Sequence, residues 1–268
     1  MNQYTFTPSA DAIRRHLPIA LTSLPIHTYA VIDSTNAEGK RLCLPTGSSA
    51  ALLIAGAQKA GRGRMDRSFY SPSGTGLYMT LVYQTNHAPA ASCGLTPAVA
   101  VAAAEAIESL TGQDVCIKWV NDLYQNGRKV GGILVEAVPN DQGTRFIIGI
   151  GINLTTAHFP DGFRAPVGAL SDAGEAVPSP EVLCAAITAR LFRHLSNGFA
   201  DGFATARPSY RAHSLLKEGQ PIRIFRGVDD HAEDGVVVGI ADDYALIVRL
   251  PDGQEERLSG GEVSVRGL

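Results

Sequence analysis

The sequence predicts an α/β (α+β) fold, in which a larger part builds a mixed sheet with helices and a smaller C-terminal part builds a β-barrel. In the larger part, short apolar runs typical of strands alternate with segments that begin at helix-capping residues. From Gly219 onward the pattern changes to short strands separated by tight turns, with no helical period. We therefore predict two domains, residues 1–217 and residues 218–268.

Helices in the larger part are predicted from their caps and from apolar spacing. Thr96 is the predicted N-cap of the most apolar helix, which Gly112 ends. Ser179 and Gly198 bound an amphipathic helix in the same way. The predicted helices are 10–17, a short one capped by residues 33–36, 97–110, 180–195 and the helical stretch within 204–217.

Strands are predicted from short apolar or alternating runs that end at turn residues. Asn126-Gly127 is a strong signal for a tight hairpin, and residues 139–143 are predicted as the turn of a second one. In the larger part the predicted strands are 29–32, 50–57, 76–83, 115–119, 123–125, 128–130, 133–138 and 145–150. In the tail they are 221–225, 234–240, 245–249, 255–258 and 262–266.

The composition is that of a folded globular protein and excludes several functional classes. Of the 268 residues, 45% are hydrophobic and 18% charged, and the net charge of −3 argues against DNA or an anionic membrane as a partner. No apolar run approaches the ~18 residues of a membrane span. Residues 1–20 lack the apolar core of a signal peptide, which predicts a cytoplasmic protein. The four cysteines include no CxxC pair and the seven histidines no HxxxH pair, which argues against a zinc site.

Three arginines and two glycines cluster in one predicted loop. Arg62, Arg64 and Arg67 lie beside Gly61 and Gly63. Glycine lets the backbone approach a ligand, and each guanidinium offers paired donors to a carboxylate or a phosphate. The GxxxxGK[ST] pattern of a P-loop is absent from this loop. Taken alone, the loop fits an anion site or a solvated basic loop.

A lysine ends the predicted strand that precedes the Asn-Gly hairpin. Lys118 follows an apolar run, and Asn121-Asp122 comes directly after it. A positioned ammonium group can stabilise charge that develops on a carboxylate or a phosphate. Asp122 can organise a metal ion or a polar network. On its own, the segment also fits a lysine that extends to solvent before an ordinary turn.

Glycine-rich strands and small polar side chains supply the remaining candidates. Gly131-Gly132 within a strand indicates close approach by another strand or a ligand. Asn153 follows a Gly-Ile-Gly-Ile run at a strand end, where its amide can contact a base or a ribose. Ser34-Thr35-Asn36 suits a neutral polar group such as a ureido or an amide. A bulged hairpin and a plain helix cap explain the same residues.

In their order and spacing, these segments together resemble the biotin protein ligase family. The matching segments are 33–36, Gln58 with 61–64, 71–72 with 76–78, 118–122, 132–136, 149–153 and 260–266. They span nearly the whole chain, and the ordered set is far more specific than any one segment. The resemblance implies a class-II-synthetase-like catalytic domain and an SH3-like barrel.

The resemblance also implies an activity. Such a ligase joins biotin to ATP as biotinyl-5′-AMP, with Mg²⁺, and passes the biotinyl group to a lysine of a biotin carboxyl carrier protein, such as the acetyl-CoA carboxylase subunit. Only some thirty residues precede Ser34, so we expect the enzyme-only form without an N-terminal helix-turn-helix repressor domain. The resemblance leaves a homodimer open.

By the same resemblance, site residues can be assigned one by one. The biotin site is formed by Ser34, Thr35, Asn36, Gln58, Arg62, Gly63, Arg64 and Lys118. The nucleotide site is formed by Arg64, Arg67, Phe69, Lys118, Asn121 and Asn153, and the catalytic residues are Lys118, Arg64 and Arg62. Asp122 is an indirect candidate for the metal, and the loop 61–70 is expected to order over the adenylate and exclude water.

Two positions depart from the family pattern. The family usually has Pro where Val120 stands, and this change removes no functional group. It usually has Trp where Phe69 stands, so the loop keeps an apolar cover but lacks an indole N–H.

Two other functions remain to be separated from biotin ligation. A lipoate or octanoyl ligase or transferase uses the same catalytic fold, although the GRGR, KWxND and GGIL segments favour biotin. A nucleic-acid-binding module with an Arg/Gly loop and a small barrel is opposed by the net charge of −3.

Overall fold

The computed structural model describes residues 6–44, 47–64, 67–155, 159–160, 166–174, 176–226, 232–259 and 263–267, the last range by its backbone alone. Within these ranges the chain forms a seven-stranded sheet, a five-stranded sheet and five α-helices. This agrees with the predicted α/β class and with the predicted change to an all-β tail.

The larger sheet is mixed, and its central strand is the last of its seven in the chain. Its strands are β1 (Ile26–Tyr29), β2 (Ala50–Ala55), β3 (Gly76–Thr85), β4 (Cys116–Lys118), β5 (Asp122–Gln125), β6 (Arg128–Asn140) and β7 (Gly143–Asn153). Their spatial order is β1-β2-β3-β7-β6-β5-β4. Only β1 and β2 pair in parallel; the other neighbours are antiparallel.

The helices cover the two faces of this sheet unequally. They are α1 (Ala10–His16), α2 (Thr35–Arg41), α3 (Leu95–Thr111), α4 (Pro180–Asp201) and α5 (Arg207–His213). The main core lies between α3, α4 and one face, where side chains such as Leu52, Met79 and Ile148 are buried. The opposite face carries α2, which packs closely because a Cβ at Gly39 would lie 3.1 Å from Val82. The rest of that face is left for the cavity described below.

The tail forms a five-stranded antiparallel sheet of the size of a small barrel. Its strands are β8 (Pro221–Arg226), β9 (Ala232–Ile240), β10 (Leu246–Arg249), β11 (Glu255–Leu258) and β12 (Val263–Gly267), in the order β11-β10-β9-β8-β12. Alternate residues of these strands, such as Ile222, Ile224 and Val248, are buried in its interior. Arg211 of α5 donates to Ile240 O and lies 2.8 Å from the Asp242 carboxylate, which ties the tail to the larger part.

Several local predictions are confirmed. The Ser34 hydroxyl caps α2 by accepting from the Ala37 N–H, and Ser179 caps α4 by accepting from Val182. Gly112 ends α3 in the left-handed region at φ 69°. Asn126 and Gly127 turn the hairpin at φ 48° and 74°, as a tight hairpin turn requires.

Other predictions were wrong in position, because tertiary packing decided them. The first strand is β1 (Ile26–Tyr29), not 29–32, because pairing with β2 sets its bounds. Gly94, not Thr96, is the N-cap of α3. Helix α4 continues through Gly198 and ends at Asp201, with Gly202 as its C-cap, and Gly198 leaves room for the Phe203 ring. Residues 139–143 were predicted as a turn, but only residues 141–142 form it. Residues 139, 140 and 143 belong to the paired strands, because β6 and β7 stay paired to their ends.

One described segment corrects the statement that no apolar run approaches the length of a membrane span. Pro89–Thr111 is long and apolar enough to cross a membrane by length and composition. Most of it is α3, and 67% of its most apolar stretch is buried inside the protein. A core helix meets the same criteria, and we assign the segment to the core. Residues 260–262 of the last predicted motif lie outside the described residues.

Helix α5 is held to α3 by a titratable contact. The His213 Nε2 lies 3.1 Å from Glu108 Oε2, and its Nδ1 lies 2.7 Å from Ser209 O. Both partners are acceptors, so the protonated ring, with two N–H donors, satisfies them best. Burial lowers the pKa of His213, but these contacts and the neighbouring Glu105 outweigh burial, and the net pKa is raised above 6.5.

We predict that His213→Gln destabilises the protein at pH 6 more than at pH 8. A raised pKa in the folded state adds stability that is fully present below the unfolded pKa of about 6.5 and is lost as the pH rises through the folded pKa. The measurement is the difference in Tm between wild type and variant at the two pH values. An equal difference in Tm at both pH values would contradict the prediction. His16→Gln is the control, because His16 is exposed at the end of α1.

Candidate active site

The residues that the sequence singled out as site residues line one cavity of about 820 Å³ on the α2 face of the sheet. They come from α2, from the loop after β2, from the connection between β4 and β5, and from the end of β7. The lining residues include Ser34, Thr35, Asn36, Gln58, Arg62, Gly63, Arg64, Arg67, Phe69, Lys118, Asn121, Asp122 and Asn153. A cavity of this size can hold one large or two small ligands.

Glycines of β7 make room for the groups around the cavity. Because side chains alternate along a strand, residues 149, 151 and 153 share the face opposite to the core. A Cβ at Gly149 would overlap the Asn36 side chain, and a Cβ at Gly151 would lie 2.6 Å from the Phe69 ring. Any larger residue at either position would displace a wall of the cavity.

One end of the cavity is neutral and polar. Gln58 Oε1 accepts from the backbone N–H of Thr35 at 2.8 Å and from its hydroxyl at 3.1 Å. Gln58 Nε2 donates to the Ser71 hydroxyl at 2.9 Å. These bonds fix the orientation of the Gln58 amide and leave one of its two N–H donors. The Ser34 oxygen accepts from Ala37, so its O–H remains a donor.

Asn36 serves mainly to brace this end. Its Nδ2 donates to Leu134 O at 3.3 Å and to Glu136 Oε2 at 3.0 Å, and its Oδ1 accepts from Thr80 at 2.8 Å. Glu136 is paired in turn with Lys40 at 2.6 Å. Both N–H donors of Asn36 are therefore used within the protein, and the side chain joins α2 to β3 and β6.

The opposite end of the cavity is strongly cationic. Arg64 Nη1 donates to Asn121 Oδ1 at 2.8 Å, and Asn121 Nδ2 donates to Ile133 O at 2.9 Å, so the guanidinium is held by a fixed amide. Burial lowers the pKa of Arg64, and the nearby Asp122 opposes this effect. The Lys118 Nζ lies 5.6 Å from the centre of the Tyr124 ring. Arg62 and Arg67 are exposed at the rim.

The charges around this cavity do not balance. Its described lining contains six cationic side chains, from Lys59, Arg62, Arg64, Arg67, Lys118 and Lys129, and one carboxylate, from Asp122. That carboxylate is already paired with Lys129 at 2.6 Å. A cavity lined mainly by one sign of charge raises the local concentration of ligands of the opposite sign. The arrangement therefore suits an anion, in a chain whose net charge is −3.

Asn153 lies at the cavity but is partly committed elsewhere. Its Nδ2 donates to Gly168 O at 2.9 Å, and the side chain is 7% exposed. This bond holds residues 166–168, which pair with Lys129, against the end of β7. Its Oδ1 is the atom that remains to accept from a ligand.

Some residues of the site were missed by the sequence analysis. Thr80 lies behind the lining and donates to Asn36; it is a fully buried polar residue within the apolar run 77–82, and that exception could have marked it. Tyr70 and Phe159 meet edge to face at 6.3 Å over the rim, and no local pattern links two residues so far apart in the chain. The Trp119–Val120 peptide bond, next to Lys118, is cis.

Comparison with known proteins gives two family matches. Residues 29–153 match the biotin/lipoate A/B protein ligase family, and residues 217–266 match the biotin protein ligase C terminal domain. The chain is 34% identical over 232 residues to a biotin–[acetyl-CoA-carboxylase] ligase of Paracoccus denitrificans, covering 83% of this chain and 93% of that protein. It is 30% identical to the bifunctional ligase/repressor BirA of Salmonella typhimurium, covering 96% and 78%.

Solved structures show the same architecture. A biotin protein ligase from Aquifex aeolicus in complex with biotin and ATP matches with a TM-score of 0.73 and 25% identity, over 89% of this chain and 97% of that one. A biotin protein ligase from Leishmania major in complex with biotinyl-5-AMP matches with a TM-score of 0.58 and 25% identity, over 88% and 98%.

We predict that Gly149→Ala weakens biotin binding about ten-fold or more, since overpacking costs ~1–3 kcal/mol. The new methyl group displaces Asn36, and with it the Thr35–Gln58 contact. Gly239→Ala is the matched control, because a Cβ there meets nothing within 4 Å. The measurement is calorimetric titration with biotin, the ligand in the Aquifex aeolicus complex. Equal affinities in the two variants would refute the prediction.

Proposed function

The chain belongs to the biotin protein ligase family, and we propose that its cavity is where biotin is activated with ATP and then transferred to a lysine of a carrier protein. The observation that carries this is the division of one cavity into a neutral polar end and a cationic end. Biotin has a ureido group at one end and a carboxylate at the other, and ATP adds a second anion beside that carboxylate.

We assign the neutral end to the biotin ring system. A ureido group needs both donors and acceptors, and Ser34, Thr35 and Gln58 offer hydroxyl and amide groups there. Asn36 acts by holding these residues in place. Arg62 and Gly63 follow in the loop. The small size of Gly63 suits the aliphatic chain of biotin, and the flexible cation of Arg62 suits its carboxylate.

We assign the cationic end to the reacting anions. Two anions repel each other unless cations lie close to both, and Lys118, Arg64 and Arg62 supply that charge. A carboxylate oxygen of biotin attacks the α-phosphorus of ATP, the bond to the β-phosphate oxygen breaks, and pyrophosphate leaves. Lys118 stabilises the charge that collects on the oxygens during this step.

The nucleotide is proposed to extend along the rest of the cavity. Arg64, Arg67 and Lys118 face its phosphates, Phe69 covers it, and Asn153 offers its Oδ1 to the nucleoside. Asn121 acts through Arg64, whose guanidinium it holds at 2.8 Å. The loop 61–70 shields the acyl-phosphate from water, although residues 65–66 lie outside the described part of the chain.

Mg²⁺ is best treated as part of the ATP substrate. Among the described residues there is no group of three His, Cys, Asp or Glu side chains that could hold a metal ion. Asp122, the carboxylate on the described cavity lining, is paired with Lys129. The described residues therefore do not form a resident metal site.

In the second half-reaction an acceptor lysine completes the cycle. Its neutral amine attacks the acyl carbon of biotinyl-5′-AMP, the amide bond forms, the amine loses a proton, and AMP leaves. The acceptor class is a biotin carrier of a carboxylase. An acetyl-CoA carboxylase carrier is the specific partner we propose, supported by the name of the Paracoccus denitrificans relative.

Two broader assignments accompany this function. We propose that residues 1–217 form the catalytic domain and 218–268 the C-terminal barrel, supported by the two separate sheets and the two family matches. A cytoplasmic location is also proposed, supported by four free cysteines and the use of ATP.

Ligation of lipoate or octanoate is the alternative function, because the first family match includes lipoate ligases.

One assay tests the function and its alternative together. The purified chain is incubated with MgATP, a purified carrier domain and either biotin, lipoate or octanoate. We expect pyrophosphate release and a mass increase of the carrier with biotin, but not with lipoate or octanoate. A carrier whose acceptor lysine is replaced by arginine should show no mass increase. A product with lipoate or octanoate, and none with biotin, would refute the proposal.

We predict that Lys118→Ala slows biotin-dependent pyrophosphate release about 10²–10³-fold, as the loss of one charge-stabilising group does. The fold should survive, since Lys118 lies at a strand end beside the cavity. Lys217→Ala, which removes an exposed lysine outside the site, should release pyrophosphate at the wild-type rate. A wild-type rate for Lys118→Ala would contradict the role of this residue.

We predict that Arg64→Ala speeds dissociation of biotinyl-5′-AMP about 10–100-fold, since a hydrogen bond to a charged group contributes ~1.5–3 kcal/mol. The effect should appear mainly in the off-rate. Stopped-flow measurement of adenylate release checks it, with Arg193→Ala, an exposed arginine on α4, as control. The released anhydride should also label bystander lysines. An unchanged off-rate without bystander labelling would count against the role of Arg64.

A further inference from the structure

A tyrosine from the C-terminal barrel is buried in the larger domain. Tyr244 lies in the turn between β9 and β10 and is 3% exposed. Its hydroxyl donates to Phe203 O, and its ring meets the Tyr210 ring edge to face at 5.3 Å. A Cβ at Gly94 would lie 2.7 Å from the same ring. Tyr244 therefore packs closely against residues of the catalytic domain.

The backbone of Tyr244 reaches the segment that carries the catalytic lysine. The Trp119 indole Nε1 donates to Tyr244 O at 3.0 Å, and both side chains are buried. Tyr244 adopts φ 66°, in the left-handed region that a bulky residue rarely enters. The contacts of its ring and hydroxyl hold it there, and this conformation directs its carbonyl at Trp119.

Trp119 begins a three-residue connection on which the cationic end of the cavity depends. Residues 119–121 join β4 to β5, and Lys118 and Asp122 face each other across the strand pair on either side. Within the connection, Val120 O accepts from the Tyr210 hydroxyl at 3.4 Å, and Asn121 holds Arg64. Tyr244 thus contacts this connection directly at Trp119 and, through Tyr210, at Val120.

The same tyrosine borders the space next to Arg64. A second cavity, of about 530 Å³, is lined by Arg64 and Val120 on the catalytic side and by Asp243, Tyr244 and Ala245 on the barrel side. Arg64 also lines the main cavity. Loss of the Tyr244 ring would therefore enlarge a space that Arg64 and the connection already border.

We propose that Tyr244 is a positioning residue for the first half-reaction: through Trp119 it holds the 119–121 connection so that Lys118 and Arg64 face the reacting anions. The inference rests on the proposed function, because it assigns Tyr244 to the same site. Tyr244 does not touch a substrate; it acts through the residues that do. The barrel thereby contributes to the geometry of the active site, although none of its described residues lines the main cavity.

The test compares two replacements of Tyr244. Tyr244→Gly keeps the left-handed backbone accessible but removes the ring, and should lower kcat for biotin-dependent pyrophosphate release about 10²-fold, as small displacements of catalytic groups do. The KM for biotin should stay within about two-fold, because Ser34, Thr35 and Gln58 are untouched. Tyr244→Phe keeps the ring and should restore most of kcat.

A spectroscopic readout separates positioning from general loss of stability. Trp119 is the single tryptophan of the chain, so the tryptophan emission reports on the surroundings of this one indole. Tyr244→Gly should shift the emission to the red as the indole becomes solvated. Val248→Ala is the matched control, because it removes buried volume from the barrel interior but leaves the groups that join Tyr244 to Trp119, and it should change neither emission nor kcat.

A double-mutant cycle completes the test. Trp119→Phe removes the indole N–H, and adding Tyr244→Gly to it should cost much less than Tyr244→Gly costs alone. Additive effects would overturn the proposal, and so would a kcat loss in Val248→Ala equal to that in Tyr244→Gly. If the wild-type chain releases no pyrophosphate with biotin, the proposed function fails; an unshifted Trp119 emission in Tyr244→Gly overturns this inference on its own.

Discussion

The absence of side chains at positions 149 and 151, on one face of β7, is the constraint on which the site depends. A strand projects a side chain toward each face at every second residue, and β7 presents glycines at 149 and 151. Asn36 occupies the space beside the first, and the Phe69 ring occupies the space beside the second. The neutral end and the cover of the cavity therefore both pack against β7 at positions where this strand has no side chain.

A second requirement is positive charge that is held in place near the reacting groups. The neutral amide of Asn121 accepts from Arg64 and orients its guanidinium, and Asp122 is paired with Lys129. A neutral partner orients a guanidinium without cancelling its charge. Burial of Arg64 then strengthens its field, because fewer water molecules screen it. The chain as a whole stays slightly acidic, so the positive charge is a local property of the cavity.

The sequence could predict those parts of the fold and site that depend on local chemistry. Ser34 as a cap, Asn126-Gly127 as a turn and Gly131 as a close approach to Gly151 each follow from the residue and its neighbours, whereas Gly132 shows only ordinary contacts. The brace between Asn36 and Glu136 could not be predicted, because it joins residues about a hundred positions apart through hydrogen bonds that leave no spacing pattern. The contact of Tyr244 with Trp119 could not be predicted either, because these residues are also far apart in the sequence. Gly198 misled the prediction because a glycine inside a helix resembles a helix end until its packing partner is known.

The central place of β7 also has a consequence for how the chain acquires its ligand site. β7 pairs with β6 through a short hairpin but with β3 across a long separation in sequence, so the second pairing closes a large loop. During synthesis, β3 and β6 both present open edges until residue 153 has left the ribosome. Asn36, Phe69 and the glycines of β7 meet only after that closure, so the cavity is complete only when the sheet is closed. A ligand that fills the cavity therefore binds only the completed sheet, and its concentration in the cell adds to the stability of the finished fold.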